Sequence, residues 1–250
     1  MDGRRDGQDL TPGSDPSETW LMSRLLILLV PLLLLASWLP GWWVRRTMAR
    51  YSEPADRYYG SGAQLARHLL DRRGLGEVAV EESARGDHYD PQARAVRLSP
   101  DNFHKHSLTA VTVAAHEVGH AIQHAEGYAP LQTRERLVRL AGAGQRLGAM
   151  IMVAAPVIVV ITRHPVPGLA FIVAGLLSMG LAALVHLVTL PTEMDASFRR
   201  ALPMLEEGGY LHESDYPHAR RILEAAALTY VAQSLMSLIN MAAWFRMLRR

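Results

Sequence analysis

His116, Glu117 and His120 stand in the order His-Glu-x-x-His, with Val118 and Gly119 between the last two. On an α-helix, histidines four residues apart lie one above the other, about 6 Å apart along the axis, so both imidazoles reach one ion. The glutamate then points to the open side, where a water on that ion would sit. The chemistry is that of zinc. The ion lowers the pKa of its water toward about 7 and polarises a carbonyl, while a carboxylate base takes the water proton and returns it to a leaving amine. Two solvated histidines and a glutamate would fill the same five positions. The helical setting and the small neighbours Ala114, Ala115, Gly119 and Ala121 favour the metal.

A catalytic zinc takes three protein ligands and keeps one position open. The chain has no cysteine, so the third ligand is a histidine or a carboxylate. His124 continues the same row but stands about 12 Å along the axis from His116. Gln123 and Glu126 occupy the Gly and His positions of H-E-x-x-H-x-x-G-x-x-H, which removes that arrangement. Glu193 is the leading candidate and Asp195 the next, both in Pro191-Thr192-Glu193-Met194-Asp195-Ala196-Ser197. An acidic helix start favoured by the macrodipole would look the same. Asp195 or Ser197 would orient an imidazole N–H.

The elements that must position these residues include long apolar runs. Leu25 to Val44 carries no charge for 20 residues, long enough to cross a hydrocarbon core, and it ends in Trp42, Trp43, Arg45 and Arg46. Leu147–Thr162 and Val166–Leu190, separated by Arg163-His164-Pro165, form a helical hairpin rich in small residues. His186 lies within the second of these runs. Ala225–Phe245 is a more polar candidate that spans the membrane or lies in its interface. The segment from Arg45 to Arg146 holds 15 basic residues, several next to a membrane end, which places it in the cytoplasm. Two spans separate His116 from Glu193 and return both to one membrane face; an odd number would exclude the pairing. The net charge of +2 is too small to imply nucleic acid.

The expected organisation is a disordered tail at 1–20, a first membrane helix at 21–44, and a cytoplasmic part at 45–146. A membrane hairpin at 147–190, a third-ligand region at 191–224 and a last membrane or interfacial helix at 225–245 follow. Within 45–146, Ser61 caps an amphipathic helix that carries Leu65, Leu69 and Leu70 and stops at Gly74. Gly76–Glu82 and Arg94–Ser99 alternate as the strands of a β-hairpin, with Asp87-His88-Tyr89-Asp90-Pro91 as turn chemistry between them. Ser107 caps the 107–126 helix that carries the histidines. Its core stripe is Leu108, Val111, Ala115, Val118 and Ile122, and it stops at Gly127.

The stretch from Val113 to His124, Asp87–Pro91, Leu190–Ser197 and Ala225–Ala232, in this order and spacing, resemble the YugP-type bacterial membrane zinc metallopeptidases. The likeness runs from the first apolar run nearly to the C-terminus. It implies a mainly α, multi-pass membrane protein of about four transmembrane helices with a zincin-like α+β metallopeptidase portion. It further implies a gluzincin-type site, with one zinc ion on His116, His120 and Glu193 and with Glu117 as general base towards a zinc-activated water. The chain departs from the broader gluzincin pattern at Ser197, where an acidic residue often stands four positions after the ligand glutamate. The expected function is a membrane-embedded endopeptidase of the bacterial inner membrane with a cytoplasmic active site. It would act on protein or peptide substrates, with the bilayer and a second copy of the chain as further partners. The alternative is a zinc-stabilised scaffold without catalysis. Tyr210, His212 and Tyr230 are candidate oxyanion donors.

Overall fold

The computed structural model describes residues 38–143 and 187–228, together with Leu35, Ala174, Leu181, Leu184 and Val185. In chain order the elements are α1 (38–51), α2 (Gly62–Arg72), β1 (Ala79–Glu82), β2 (His88–Asp90), β3 (Ala95–Leu98), α3 (Pro100–His104), α4 (Leu108–Ala125) and α5 (129–143). After the undescribed segment, α6 (187–194) runs into a π-helical turn (Asp195–Ala201), α7 (Leu202–Glu207), a 3₁₀ turn (Glu213–Asp215) and α8 (216–228). The described residues are mainly helical with one small sheet, and no helix among them is long and apolar enough to cross a membrane. The four apolar runs lie wholly or mainly outside the described residues, as does the 1–20 tail.

Both helices expected in the first soluble stretch form where their caps place them. The Ser61 hydroxyl accepts the Gln64 N–H, and the Gln64 side chain accepts the Ser61 N–H, a capping box that satisfies two free donors at the start of α2. Leu65, Ala66, Leu69 and Leu70 are its buried face, and Gly74 ends it with φ 69°. Ser107 accepts the Ala110 N–H at the start of α4, and Gly127 follows its end with φ 66°. Nearly all of α4 is buried, from Leu108 to Gln123. It is the central helix, and α2, β3, α7 and α8 supply the side chains around it, among them Leu69, Leu98, Leu205 and Ile222.

The sheet corrects the hairpin expectation. Its order is β1-β3-β2; β1 pairs in parallel with β3 (Ala79 opposite Ala95), and β2 pairs antiparallel with β3 (Tyr89 opposite Val96). His88-Tyr89-Asp90 is therefore an edge strand, and the turn lies one step later. Asp90 Oδ1 accepts the N–H groups of Gln92 (2.9 Å) and Ala93 (3.1 Å), and Arg94 takes φ 49° to re-enter β3. Arg97 on the central strand fixes both neighbours through Glu81 (3.0 Å) and Asp90 (2.5 Å).

Two contacts set how the rest closes on α4. A Cβ on Gly119 would stand 2.7 Å from the Ala196 carbonyl oxygen, so the π-helical turn lies directly against the α4 backbone. The chain between α1 and α2 is tied to the turn before α8 by Asp215. Its carboxylate accepts Arg57 Nε (2.6 Å) and Nη2 (2.8 Å) and the Tyr58 hydroxyl.

Replacing Gly119 by alanine forces that backbone contact apart and should destabilise the fold by about 1–3 kcal/mol. Gly142→Ala, with nothing within 4 Å, should be neutral or slightly stabilising in the same thermal melts. Equal melting points would refute the close-approach role. Burial would raise the Asp215 carboxyl, but the Arg57 and Tyr58 hydrogen bonds hold it below its ordinary value. A lowered folded pKa gives stability that is present above the unfolded value near 3.8 and is lost as pH falls through the folded one. Asp215→Asn should therefore lower the melting temperature at pH 7, with the gap to wild type closing below about pH 4. A gap independent of pH would assign the effect to shape alone.

Candidate metal centre

α4 carries His116 and His120 on one face, and the last turn of α6 brings Glu193 against them. His116 Nε2 lies 3.2 Å and His120 Nε2 3.4 Å from Glu193 Oε2. The two rings stand edge to face with centroids 4.7 Å apart. All three side chains are buried, and their ligand atoms lie within 4.8 Å of one another, a cluster that could hold a metal ion. The donor chemistry fits zinc: two imidazole nitrogens and one carboxylate oxygen, with a cavity on the remaining side. Burial by itself would raise the Glu193 carboxyl. His120 and His116 beside it hold it well below the usual carboxylate range, in the anionic form that a metal requires.

The far side of each ring is held by a neutral group. The Gln123 amide nitrogen donates to the Thr192 carbonyl and to Asp195 Oδ2, each at 2.8 Å. Those two acceptors fix which end of the amide is oxygen. Gln123 Oε1, 2.9 Å from His120 Nδ1, must then accept an N–H there, which directs Nε2 towards Glu193. Ser197 Oγ stands 3.1 Å from His116 Nδ1 and can accept in the same way. Asp195 also accepts Arg200 Nε (2.6 Å), and Arg200 reaches Glu126 (2.8 Å), so the network runs from His120 to the surface.

Glu117 is buried beside the three donors without joining them. Burial, with Glu193 and Asp87 nearby, pushes its carboxyl up to about 7, against the opposing effects of His116 and of a backbone hydrogen bond from Tyr89 on β2. The edge strand thus runs beside the carboxylate. In front of it opens a cavity of about 310 Å³ between β2 and α5, lined by His88, Tyr89, Asp90, Arg134, Glu135 and Arg139 among others. Arg134 Nη1 reaches Glu193 Oε1 at 3.5 Å, a cation beside the buried carboxylate.

Of the residues that sequence singled out, His116, Glu117, His120 and Glu193 converge. Ser197 contacts a histidine directly; Asp195 does so only through Gln123. His124 points away, with Nδ1 2.8 Å from the Tyr89 hydroxyl. The Tyr210 hydroxyl is held by His68 and Arg72 at 2.8 Å each, and His212 stacks on Tyr58. Both line another cavity that includes none of the four converging residues. His186 and Tyr230 lie outside the described residues. Sequence reasoning missed Gln123, Arg134 and the whole of α5. The signal for α5 was present: Leu131, Arg134, Glu135 and Val138 follow i, i+3, i+4, i+7 and all face the cavity.

Comparison with known proteins agrees with this geometry. The profile of the family described as "Putative neutral zinc metallopeptidase" matches residues 25–249. A relative from Bacillus subtilis (strain 168), described as "Putative membrane protease YugP", is 34% identical over 201 residues, covering 79% of this chain and 85% of its own. No solved structure matches the chain. A profile spanning nearly the whole sequence, together with a relative of that identity, means that the chain belongs to the neutral zinc metallopeptidase family.

Proposed function

We propose that the protein is a membrane-embedded zinc endopeptidase in which His116, His120 and Glu193 hold one zinc ion and Glu117 is the general base. The observation that carries this reading is the position of Glu117. It is a carboxylate buried beside the three donors, flanked by β2, and open to a cavity on the donor-free side. A site built only to hold metal has no need of that fourth group. This favours catalysis over the scaffold.

Zinc, when bound, supplies a Lewis acid that polarises the scissile carbonyl and the attacking water. The chain supplies the rest. Glu117 takes one proton from the water as its oxygen bonds to the carbonyl carbon, then delivers that proton to the amine nitrogen as the C–N bond breaks. Tyr89 on β2 lies beside the Glu117 carboxylate. Gln123 and Ser197 hold the two imidazoles with Nε2 towards the ion. Arg134 offsets the charge of Glu193 on the cavity side. β2 is an edge strand along the same cavity, able to lie beside an extended peptide.

Membrane embedding is supported from sequence and surface together. α1 continues the 25–44 apolar run and exposes Trp38, Trp42 and Trp43, with Arg46 over the Trp42 ring. Tryptophans followed by arginines suit a membrane–water interface, and the arginines favour its cytoplasmic side. Two apolar runs, 147–162 and 166–190, lie between His116 and Glu193 in the sequence, an even number that suits both residues on one membrane face.

Metal content and casein cleavage on detergent-purified wild type, Glu117→Gln and Glu193→Ala test the assignment. About one zinc per chain is expected in the first two and loss in the third, with cleavage about 10²- to 10⁴-fold slower in Glu117→Gln. Undiminished cleavage by Glu117→Gln would remove the base from the scheme, and retained zinc in Glu193→Ala would remove the third ligand. Gln123→Met, which keeps the volume but offers His120 no amide oxygen, should weaken zinc binding about 10- to 100-fold in chelator competition. Unchanged affinity would show that Gln123 only fills space.

A further inference from the structure

The metal donors have a second cavity on their other side. It measures about 280 Å³, touches His116, Glu117 and Glu193, and is walled by Val44 and Met48 of α1, Val113 of α4, and Ile222, Leu223 and Ala226 of α8. Apart from the three site residues, its one charged neighbour is Asp87. That carboxylate is already engaged: Oδ1 accepts the Ser99 N–H (2.7 Å) and hydroxyl (3.0 Å), and Oδ2 accepts the Asn102 amide (2.9 Å). The chamber is therefore chemically apolar.

The first cavity is the opposite in character, with His88, Asp90, Gln92, Arg134, Glu135 and Arg139 on its walls. Both cavities meet at His116, Glu117, Glu193 and Asp87. A peptide laid across this point would place its two flanks in unlike surroundings. One flank would lie among charges between β2 and α5, the other against aliphatic side chains between α1 and α8. An apolar side chain gains by leaving water for the second chamber, whereas an anionic one would lose its hydration there beside carboxylates.

We propose that the chamber formed by Val44, Met48, Val113, Ile222, Leu223 and Ala226 is a specificity subsite. It takes one leucine-, methionine- or phenylalanine-like side chain next to the scissile bond, while the polar cavity receives the other flank. This rests on the endopeptidase reading above and names the substrate class of the same site: segments with an apolar residue on one side of the cut. α1 and α8 are continuous in sequence with the apolar runs 25–44 and 225–245. Two of the chamber's walls therefore border apolar runs in the sequence.

The test uses the full chain in detergent. A mixed peptide library digested by wild type should show Leu, Met and Phe enriched about tenfold or more at one position flanking the cut and at no equivalent position on the other side. Ala226→Phe narrows the chamber and should shift the preference to Gly and Ala. Met48→Ala widens it and should shift the preference to Phe and Trp, so the two variants move in opposite directions and one suffices if the other does not fold. A binding arm needs no turnover. On zinc-loaded Glu117→Gln, a hydroxamate with an isobutyl side chain should bind about tenfold tighter than one with a hydroxymethyl side chain, and Ala226→Phe should abolish the difference. Cleavage without apolar enrichment, or enrichment that neither variant alters, would overturn the subsite and leave the endopeptidase intact. Absent cleavage would overturn the endopeptidase reading. Equal binding of the two hydroxamates would overturn the subsite, whether the chamber is empty or filled by an acyl chain.

Discussion

The packing of the π-helical turn on Gly119 is the contact on which the site depends. Gly119 sits between Glu117 and His120, and the Ala196 backbone occupies the space where any side chain would be. That approach lets Thr192, Glu193, Ala196 and Ser197 bury against α4. It brings a donor from a distant part of the chain within 3.2–3.4 Å of both imidazoles. The widened turn also keeps Glu193 and Ser197 on one side of the helix, so one element supplies a ligand and the partner of another ligand. π-helical turns recur at functional sites for this kind of reason, since they re-aim side chains without ending the helix.

Burying Glu193 would be costly without compensation. The two imidazoles and Arg134 lie close enough to supply it, and a divalent ion bound there would add to it. The groups behind the histidines matter for the opposite reason. Gln123 and Ser197 are neutral, so no carboxylate stands directly behind either ring. The negative charge of Asp195 is spent on Gln123 and Arg200 instead. Neutral partners fix the ring orientation and would leave more of a bound metal's electrophilic character for a substrate.

The legible parts of the fold were those that depend on local chemistry. Ser61 and Ser107 announce helices because a hydroxyl before an apolar period meets backbone donors within three residues. His116, Glu117 and His120 declare themselves because four residues make one helical turn. The sheet was not legible in the same way. Alternation shows that Val78–Val80 and Val96–Leu98 are strands, but says nothing about whether they run parallel. His88-Tyr89-Asp90 has the residue types of a turn and becomes a strand because β3 offers it an edge. Gln123 looked like a failed metal-motif position; its role is made by Thr192 and Asp195, 69 and 72 residues away. Arg134 acquires its role only when α6 arrives.

The walls of the site share a sequence property. α1 follows the 25–44 run, α5 precedes 147–162, α6 continues from 166–190, and α8 leads into 225–245. The compact unit of α2, the sheet, α3 and α4 contributes both histidines, Glu117 and the edge strand, and adjoins none of these runs. Glu193, Arg134 and every aliphatic wall of the apolar chamber except Val113 come from elements that do. In the proposed scheme one continuous stretch of chain therefore carries the base and two ligands, and the third ligand comes from a segment that borders an apolar run. If those runs lie in a bilayer, the lipid surroundings set the placement of Glu193 and of the chamber walls.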